Sequence, residues 1–329
     1  MKVYRDVNQL PPFRNAVITI GTFDGVHEGH QKIIEHLKQE AEKINGETVI
    51  ITFHPHPRKV VSSSILGIRL INTLDEKIEL LEKAGIDHLA VVPFTEVFAN
   101  QSAEEYIKNF LIEKFHPHTV IIGYDHRFGR DRQGDYRLLE DKADEYNYVL
   151  KEIPQQVLDE IAVSSTNIRE AIIHGNFETA DKLLGYEFFF DGIVVDGDKL
   201  GRKLGFPTAN LKITDEEKIT PGNGIYAVHV GIHDKKDKRP NTTQHGAPVP
   251  LKIHKGMMSI GFRPTVGGTK RVFEVNIFDF DKDIYGKTIR VYVKKYLRAE
   301  IKFNNLDELA NQIAQDKIES LKVLEQEIE

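Results

Sequence analysis

The apolar pattern changes once along this chain, at Gly185, and the change limits the folds that the chain can adopt. Before Gly185, short continuous apolar runs alternate with segments whose apolar residues recur at helical spacing. After Gly185, the chain is rich in β-forming runs, several of which alternate between apolar and polar positions, with Gly, Pro, Asp and Asn turns between them. The 329 residues therefore predict two domains of different class, at 1–184 and 185–329.

The first half predicts an α/β domain built on a doubly wound parallel sheet. Strands that are buried on both faces read as continuous apolar runs. Five such runs lie at 16–21, 48–53, 89–94, 119–123 and 148–153. Helical segments separate them, and Ser102 and Glu105 form a capping-box pattern before one of these helices. Strands and helices in alternation are typical of a parallel sheet covered by helices. Two further helices are expected at about 166–174 and 177–184.

The second half predicts an antiparallel sheet or small β-barrel, followed by one helix. Its β-rich runs lie at 188–195, 224–232, 271–280 and 289–297. The last 24 residues, Leu306 to Glu329, predict an amphipathic helix because their apolar residues fall near one stripe. That stripe contains Leu309, Ile313, Leu321, Leu324 and Ile328. The polar, proline-containing segment 233–250 is expected to be a mobile loop between strands.

Charge and composition exclude several classes of protein. The net charge is -6, so no global basic field attracts nucleic acid, and any polyanionic ligand needs local groups to bind it. The chain has no cysteine, which excludes disulfides and thiolate metal sites. We find no signal-peptide pattern at the N-terminus and no apolar stretch near the roughly 20 residues that span a bilayer. A soluble cytoplasmic enzyme with no nucleic-acid or membrane partner is expected.

A turn rich in glycine and histidine, GTFDGVHEGH at 21–30, joins the first predicted strand to the first predicted helix. Glycines permit a tight turn with the backbone close to a ligand, and a helix N-terminus offers N–H groups to phosphate. His27 and His30 are three residues apart and share one face of the first helical turn. Two imidazoles there can donate hydrogen bonds to phosphate oxygens. The alternative is a pair of exposed loop histidines or half of a metal site.

The segment VSSTNIREAI at 163–172 carries a second phosphate-binding pattern. We expect Ser164, Ser165 and Thr166 at the beginning of a helix, with Arg169 one turn further on. Hydroxyls, helix N–H groups and a guanidinium together suit a triphosphate. The alternative is an ordinary N-cap.

A glycine-rich loop opens the second half, although the chain contains no G-x-x-x-x-G-K-[ST] phosphate-binding loop. In GDKLGRKLGFPTANL at 197–211, Thr208 and Asn210 offer neutral oxygens on one face of an extended chain. Such hard oxygens suit Mg²⁺, which takes its other ligands from phosphates and water. The alternative is a turn followed by a strand with outward polar residues.

The run RVFEVNIFDF at 271–280 alternates between apolar and polar residues. Phe273, Val275 and Ile277 fall on one face, and Glu274 and Asn276 fall on the other. A carboxylate at such a position is usually solvated surface.

These segments resemble the bacterial bifunctional riboflavin kinase/FMN adenylyltransferase (FAD synthetase) family along almost the whole chain. GTFDGVHEGH is similar to its H-x-G-H signature, SSTNIR to its S-S-T-x-I-R motif, and GRKLGFPTAN to its G-R-x-L-G-F-P-T-A-N motif. The resemblance implies an N-terminal nucleotidyltransferase domain and a C-terminal riboflavin kinase barrel. It implies that ATP phosphorylates riboflavin to FMN, and that a second ATP converts FMN to FAD and pyrophosphate with Mg²⁺ present. The partners are then riboflavin, FMN, FAD, ATP, ADP and pyrophosphate, and the oligomeric state stays open.

The resemblance also implies roles for individual residues. The implied catalytic residues are His27, His30, Arg169 and Glu274, with Glu274 as the general base of the kinase. The implied ATP- and phosphate-binding residues are Gly21, Phe23, Gly25, Gly29, Ser164, Ser165, Thr166, Gly201, Lys203, Gly205 and Pro207. The implied flavin-binding residues are Pro55, Pro57, Asp125 and Arg298. The implied metal ligands are Thr208 and Asn210.

The chain departs from the family pattern at a few positions. TFHPHPRKVV at 52–61 matches the F-x-P-H-P loop, and its prolines then wall the isoalloxazine; the alternative is loop punctuation. His126 stands where the family commonly has an aromatic residue, Arg263 where it has asparagine, and Val266 where it has phenylalanine.

Two rival functions remain, a single-activity enzyme with one inactive site and a flavin-binding or regulatory module without turnover. ATP-dependent conversion of riboflavin to FMN, or on to FAD, separates all three.

Overall fold

The computed structural model describes residues 1–61, 69–197, 200–233, 252–265 and 268–325. The described residues separate into two compact units, the first up to Ser165 and the second from Thr166 onward. Of the sequence-based expectations, the loop at 234–250, Val266 and Ile328 lie outside the described residues, and so does the side chain of Lys203.

The first unit contains a six-stranded parallel sheet. In chain order its described strands are β1 (Lys2–Tyr4), β2 (Val17–Ile20), β3 (Thr48–His54), β4 (His88–Pro93), β5 (Thr119–Gly123) and β6 (Val149–Ile153). They are arranged β1-β4-β3-β2-β5-β6, and every neighbouring pair is parallel. The predicted doubly wound sheet is therefore confirmed. β1 was not predicted, because three residues at a sheet edge are too short to show a pattern.

Helices and turns connect these strands. They are α1 (Glu28–Lys43), α2 (Pro57–Val61), α3 (Leu74–Lys83), α4 (Glu96–Ala99), α5 (Ala103–Glu105), a π-helical segment (Tyr106–Ile112), α6 (Glu113–Phe115), α7 (Tyr136–Tyr146), α8 (Gln155–Ile173) and α9 (Phe177–Leu184). The expected capping box is present: Ser102 Oγ accepts from the Glu105 N–H, and the Glu105 carboxylate accepts from the Ser102 N–H. The apolar cluster on one side of the sheet includes Phe110, Phe115 and Val120.

One helix begins earlier than predicted. The expectation that Ser164, Ser165 and Thr166 stand at the beginning of a helix is wrong, because α8 begins at Gln155 and carries them in its interior. The helix begins directly after Pro154, and no glycine or proline interrupts the chain between there and Ile173. The predicted helix at 177–184 is confirmed as α9, which ends at Gly185 in a left-handed conformation.

The second unit contains a closed antiparallel barrel and a terminal helix. Its described elements are β7 (Phe189–Val195), α10 (Leu200–Lys203), β8 (Ala209–Lys212), β9 (Gly224–Ile232), β10 (Ile253–Thr265), β11 (Gly268–Ile277), β12 (Thr288–Arg298) and α11 (Leu306–Glu325). The barrel order is β10-β11-β8-β7-β12-β9. The predicted barrel and terminal helix are confirmed. Leu324 of α11 is fully buried against Ala227, Met257 and Phe278, so α11 covers part of the barrel.

Candidate active sites

Three predicted ligand-binding loops meet at one edge of the parallel sheet. β2 lies between β3 and β5, and the segments 21–30, 52–61 and 123–135 follow the carboxyl ends of these three strands. The chain turns to opposite sides of β2 when it continues into β3 and later into β5. In open α/β sheets, ligands bind in the crevice at such a switch point.

The turn after β2 has an unusual backbone. Gly25 has a φ of 89°, and two residues with side chains, Phe23 and Val26, have φ values of 47° and 38°. Left-handed conformations of bulky residues cost free energy and occur where the surrounding structure holds them. The buried Asp24 supplies part of that support, since its Oδ1 accepts from the N–H groups of Ile71 and Asn72 at 2.9 and 3.2 Å.

The rings of the two histidines in this turn lie next to each other. His27 is the N-cap residue of α1 and is fully buried; His30 lies in the first turn, and the ring centroids are 4.0 Å apart. The His30 ring also packs against Phe23 at 5.0 Å. His27 Nε2 lies 2.9 Å from Ser165 Oγ, across 138 residues of sequence. The structure therefore brings the histidine motif and the serine motif together.

Gly29 makes this approach possible. A Cβ on Gly29 would lie 2.7 Å from Ile161 Cγ1 of α8 and 3.2 Å from His27 Cε1. Only glycine therefore allows α8 to pack this closely on α1. Ser164 is half-buried, Thr166 is exposed, and the half-buried Arg169 follows Ser165 by about one helical turn.

Burial controls the charge of His30. Removal from water lowers its pKa well below the usual value, and the nearby His27 and Lys77 lower the pKa further. The imidazole is therefore neutral at pH 7, with one N–H to donate and one nitrogen to accept. Among the described residues, His30 Nδ1 has no hydrogen-bond partner.

Three of the four predicted flavin-binding residues lie on the loops that follow the neighbouring strands β3 and β5. Pro55 and Pro57 are half-buried after β3, and Pro57 begins α2; Asp125 is exposed after β5. Burial lowers the pKa of His126 to about 4, and Arg132 and Arg127 contribute to the shift. The His126 ring packs against Phe128 at a centroid distance of 5.7 Å. The imidazole thus packs as an uncharged ring at a position where the family commonly has an aromatic.

The barrel contains a second candidate site, a cavity of about 580 Å³ beside the glycine-rich loop. Its walls include Arg202, Pro207, Thr208, Phe280, Lys282 and Tyr285. Aliphatic side chains, aromatic rings, two cations, two carboxylates and a hydroxyl line one concave space, and an apolar lining with a few polar groups is usual for a small-molecule site. The volume falls within the range of about 300–1,000 Å³ that is typical of such sites.

The glycine-rich loop folds into a tight turn. The Gly201 carbonyl accepts from the N–H groups of Leu204 and Phe206 at 3.1 and 2.8 Å, and Gly205 has a φ of 82°. A Cβ on Gly201 would lie 2.3 Å from the Phe206 carbonyl oxygen. The turn ends at Pro207, whose carbonyl accepts from Asn276 Nδ2 at 2.6 Å. Asn276 on β11 therefore ties this loop to the barrel.

Glu274 alternates along β11 with Phe273 and Val275, so it lies on the opposite face of the strand, as predicted. Across the sheet it is opposite Asn210 of β8 and Ser259 of β10. The Arg263 side chain forms an ion pair with the Glu274 carboxylate, whose side chain is only 17% exposed. The arginine that replaces the family's asparagine therefore contacts the proposed base directly.

Arg298 is engaged within the protein. Its Nε and Nη2 donate to the two carboxylate oxygens of Asp316 on α11, at 2.8 and 2.6 Å, and its Nη1 donates to the Ala299 carbonyl. Asp316 is buried, and Gln312 also donates to it. The guanidinium joins the end of β12 to α11.

Sequence reasoning missed three residues that support these sites, Lys77, Asn276 and Asp316. Lys77 Nζ donates to the Thr22 carbonyl at 2.5 Å in the histidine turn. The sequence signal for it is a lysine within the apolar stripe of α3, three residues after Leu74 and three residues before Leu80. Asn276 gave no signal, because polar residues on an outward face are ordinary. The same is true of Asp316 on an amphipathic helix.

Comparison with known proteins covers both units. The family model for FAD synthetase matches residues 11–167, and the family model for riboflavin kinase matches residues 184–324. The bifunctional riboflavin kinase/FMN adenylyltransferase of Escherichia coli (strain K12) is 35% identical over 321 residues, which are 97% of this chain and 96% of that protein. The protein of the same description from Haemophilus influenzae is 35% identical over 303 residues, 92% of each chain.

One solved structure is similar over the whole length. It comes from Streptococcus pneumoniae, is described as a macrolide-efflux protein, and is 29% identical with a TM-score of 0.76. It covers 96% of this chain, and this chain covers 96% of it. In the described part of this chain, no helix has the length and apolar character needed to cross a membrane. The structural likeness extends over both units.

Proposed function

The chain belongs to the bifunctional riboflavin kinase/FMN adenylyltransferase family, and we propose that residues 1–184 perform the adenylyl transfer and residues 185–329 the phosphorylation. The enzyme phosphorylates riboflavin to FMN with ATP and then transfers an adenylyl group from ATP to FMN. The contact of His27 with Ser165 is the observation that carries the proposal for the first reaction centre. It joins two motifs that are distant in sequence at the sheet edge where α/β enzymes bind nucleotides.

Adenylyl transfer at this centre needs alignment and charge stabilisation rather than a base. A phosphate oxygen of FMN attacks the α-phosphorus of ATP; the new P–O bond forms while the bond to the β-phosphate breaks, and pyrophosphate leaves. The attacking oxygen is already anionic, so no proton has to be removed. In this proposal His27 and His30 donate hydrogen bonds to the phosphates, and Arg169 compensates the charge that moves to pyrophosphate.

The remaining phosphate-site assignments follow from the same loops. Gly21, Gly25 and Gly29 let the backbone approach the nucleotide, and Phe23 packs on His30. Ser164, Ser165 and Thr166 act through their hydroxyls, since their N–H groups lie in a helix interior. Pro55, Pro57 and Asp125 are proposed to contact the isoalloxazine of FMN from the neighbouring loops.

The kinase reaction needs a proton acceptor. The terminal hydroxyl of riboflavin attacks the γ-phosphorus of ATP, the bond between the γ-phosphorus and the bridging oxygen breaks, and ADP leaves. The hydroxyl proton passes to the Glu274 carboxylate, which lies opposite the proposed metal ligand Asn210 in the sheet. We propose that the cavity holds ATP, with Arg202 and Lys282 toward its phosphates.

The residues beside the cavity fit a magnesium ion. Thr208 lies in the cavity wall, and a Cβ on Gly201 would come within 3.3 Å of Thr208 Oγ1. Asn210 packs against Gly197, where a Cβ would lie 2.0 Å from its Nδ2. We propose that Thr208 and Asn210 hold Mg²⁺, which neutralises phosphate charge when bound. Gly205 and Pro207 shape the loop around it, and Lys203 is proposed to contact ATP.

The binding partners and the cellular location are also part of the proposal. The partners are the small molecules riboflavin, FMN, FAD, ATP, ADP and pyrophosphate, without nucleic acid or membrane, and the enzyme acts in the cytoplasm. Arg298 is proposed to act on riboflavin through α11, since its guanidinium is held by Asp316.

A reciprocal pair of variants tests the two assignments. We expect His30→Ala to lower FAD formation from added FMN by about 10²–10³-fold, the scale for one oriented donor, and to leave FMN formation near wild type. We expect Glu274→Gln to lower kinase kcat by about 10²–10⁴-fold and to spare FAD formation. His174→Ala and Glu319→Gln, at exposed positions, are the matched controls. Equal losses of both activities in either variant would instead indicate a role in folding.

A further inference from the structure

A buried cation that the reaction scheme does not use is bonded to the turn at 21–30, which carries His27 and His30. Lys77 lies on α3 and is almost fully buried. Its Nζ donates to the carbonyl oxygen of Thr22 at 2.5 Å, two residues after the end of β2. A buried ammonium group costs free energy unless it is paired and hydrogen-bonded, so a chain with no use for it would place an apolar residue here.

A second contact, made by Asp24, also holds this turn in place. The buried Asp24 accepts from the N–H groups of Ile71 and Asn72, which immediately precede α3. The Asp24 carboxylate also attracts the Lys77 ammonium electrostatically. The cation on α3 and the anion on the turn therefore both bind the turn to α3 and to the two residues that precede Thr73. Between these anchors lies Phe23 in its left-handed conformation.

We propose that Lys77 is a positioning residue for adenylyl transfer, whose buried ammonium holds the Thr22 carbonyl and so fixes the turn that presents His27 and His30 to the phosphates. The proposal rests on the assignment of these histidines under the proposed function. It requires Lys77 to touch neither ATP nor FMN. A left-handed turn in which bulky residues are strained needs support from its surroundings, and Lys77 supplies it from outside the motif.

The charge of Lys77 has a further consequence. The titratable groups that face it are Asp24 on the turn and His30 on α1. Burial lowers the pKa of Lys77 to about 8, although Asp24 partly opposes the shift. Burial is the main cause of the lowered pKa of His30; His27 and the Lys77 ammonium lower it further. Loss of the proton from Lys77 above pH 8 therefore weakens the hold on Thr22 and removes a positive charge from beside His30.

Two substitutions at Lys77 separate these effects from a role in folding. Lys77→Met keeps the length of the side chain and removes its charge and donor; Lys77→Arg keeps the charge at every accessible pH. Lys83→Met, on the same helix with an exposed side chain, is the matched control. All variants are made in the full-length enzyme, and FAD formation from added FMN is compared with FMN formation from riboflavin in the same preparation.

We expect Lys77→Met to lower kcat for FAD formation by roughly 10²-fold, as a misplaced catalytic group does, with the KM for ATP and the kinase rate within about threefold of wild type. In the wild type, FAD formation should fall about tenfold between pH 7 and pH 9, because a group of pKa about 8 is then mostly deprotonated. In Lys77→Arg the residual activity should lack this alkaline decline.

Several results would overturn the proposal. Wild-type FAD formation by Lys77→Met shows that the turn needs no support from Lys77. A matching loss of kinase activity with a lower melting temperature shows a global structural role. An alkaline decline that persists in Lys77→Arg assigns the titration to another group. His30→Ala, measured in parallel, separates the two levels of inference: if it spares FAD formation, the histidine assignment fails whatever Lys77→Met does.

Discussion

Gly29→Ala tests the contact on which the adenylyl-transfer site depends. Gly29 is the second residue of α1, between the two histidines. The added methyl carbon would lie 2.7 Å from Ile161 Cγ1 and 3.2 Å from His27 Cε1. Contacts of a Cβ below 3.0 Å are essentially never seen, so one of these groups must move. Ile161 Cγ1 is one bond from the Cβ atom and therefore close to the α8 backbone, and the His27 ring is hydrogen-bonded to Ser165.

Two opposing effects set the magnitude. Overpacking a site by one methyl group costs typically about 1–3 kcal/mol. Alanine is better than glycine inside a helix by about 0.5–1 kcal/mol, which offsets part of that cost. The net loss of stability should be about 0–2.5 kcal/mol, or a few degrees in melting temperature. A displacement of His27 by about 1 Å costs far more in rate, so we expect FAD formation to fall by about 10–100-fold.

The assay follows FAD formation from added FMN and ATP, with the kinase reaction of the same protein as internal control. We expect the kinase rate to stay within about twofold of wild type. Ile161→Ala removes the atom that the new methyl group meets, so Gly29→Ala/Ile161→Ala should regain most of the lost activity. If Gly29→Ala makes FAD at the wild-type rate, or if the double variant is as slow as the single one, the α1–α8 contact does not control catalysis.

Two further predictions concern stability. A fragment of residues 166–329 should melt higher than a fragment of residues 185–329. The shorter one lacks four large side chains that are buried in the full chain, Ile168 and Ile172 of α8 and Phe177 and Leu184 of α9, each worth about 1.5–3 kcal/mol when fully buried. Both fragments should phosphorylate riboflavin and neither should make FAD. Equal melting temperatures would show that residues 166–184 add nothing to the stability of the barrel. The buried Glu40 carboxylate bonds Lys151 and Lys43, which lower its pKa to about 2. A carboxyl whose pKa is lowered in the folded state stabilises the fold above its unfolded pKa, and this contribution is lost as the pH falls from about 4.5 toward 2. Glu40→Gln should therefore lower the free energy of unfolding by about 1–2 kcal/mol at pH 7, a value reduced for solvent screening at the two lysines, and by almost nothing near pH 2. An equal cost at both pH values in denaturant unfolding would assign the effect to packing.

The sequence predicted the architecture because the signals were local and repeated. Continuous apolar runs gave the parallel strands, and β5 has the bounds of its run. The alternation of β11 placed Glu274 opposite an apolar face, which follows from the two-residue period of a strand. These features require no knowledge of what lies across the fold.

Other features depend on contacts that periodicity does not encode. The beginning of α8 was misplaced because a serine-rich stretch resembles an N-cap, while the helix begins ten residues earlier at Gln155. The support of the site by Lys77 depends on a carbonyl 55 residues away in sequence. The ion pair of Arg263 with Glu274 joins two residues of paired strands that are not opposite each other in the register, since Arg263 is opposite Lys270. Motifs identify the residues that meet the substrate, but not the residues that hold them in place.

The two reaction centres differ in the way their chemistry requires. Adenylyl transfer uses a nucleophile that is already ionised. Its candidate centre has the buried imidazoles of His27 and His30, of which that of His30 is neutral, and the buried cation of Lys77, and no carboxylate is assigned as a base. Phosphorylation begins with an alcohol, and its candidate centre has a carboxylate, Glu274, on the strand whose Val275 and Ile277 line the cavity. The net charge of -6 does not prevent either centre from binding ATP, because charges beyond about 8 Å are largely screened at physiological ionic strength. The charges within that distance decide the binding, and in our proposal Arg202 and Lys282 supply the cations of the kinase site, in a cavity wall that also contains Asp281 and Asp283.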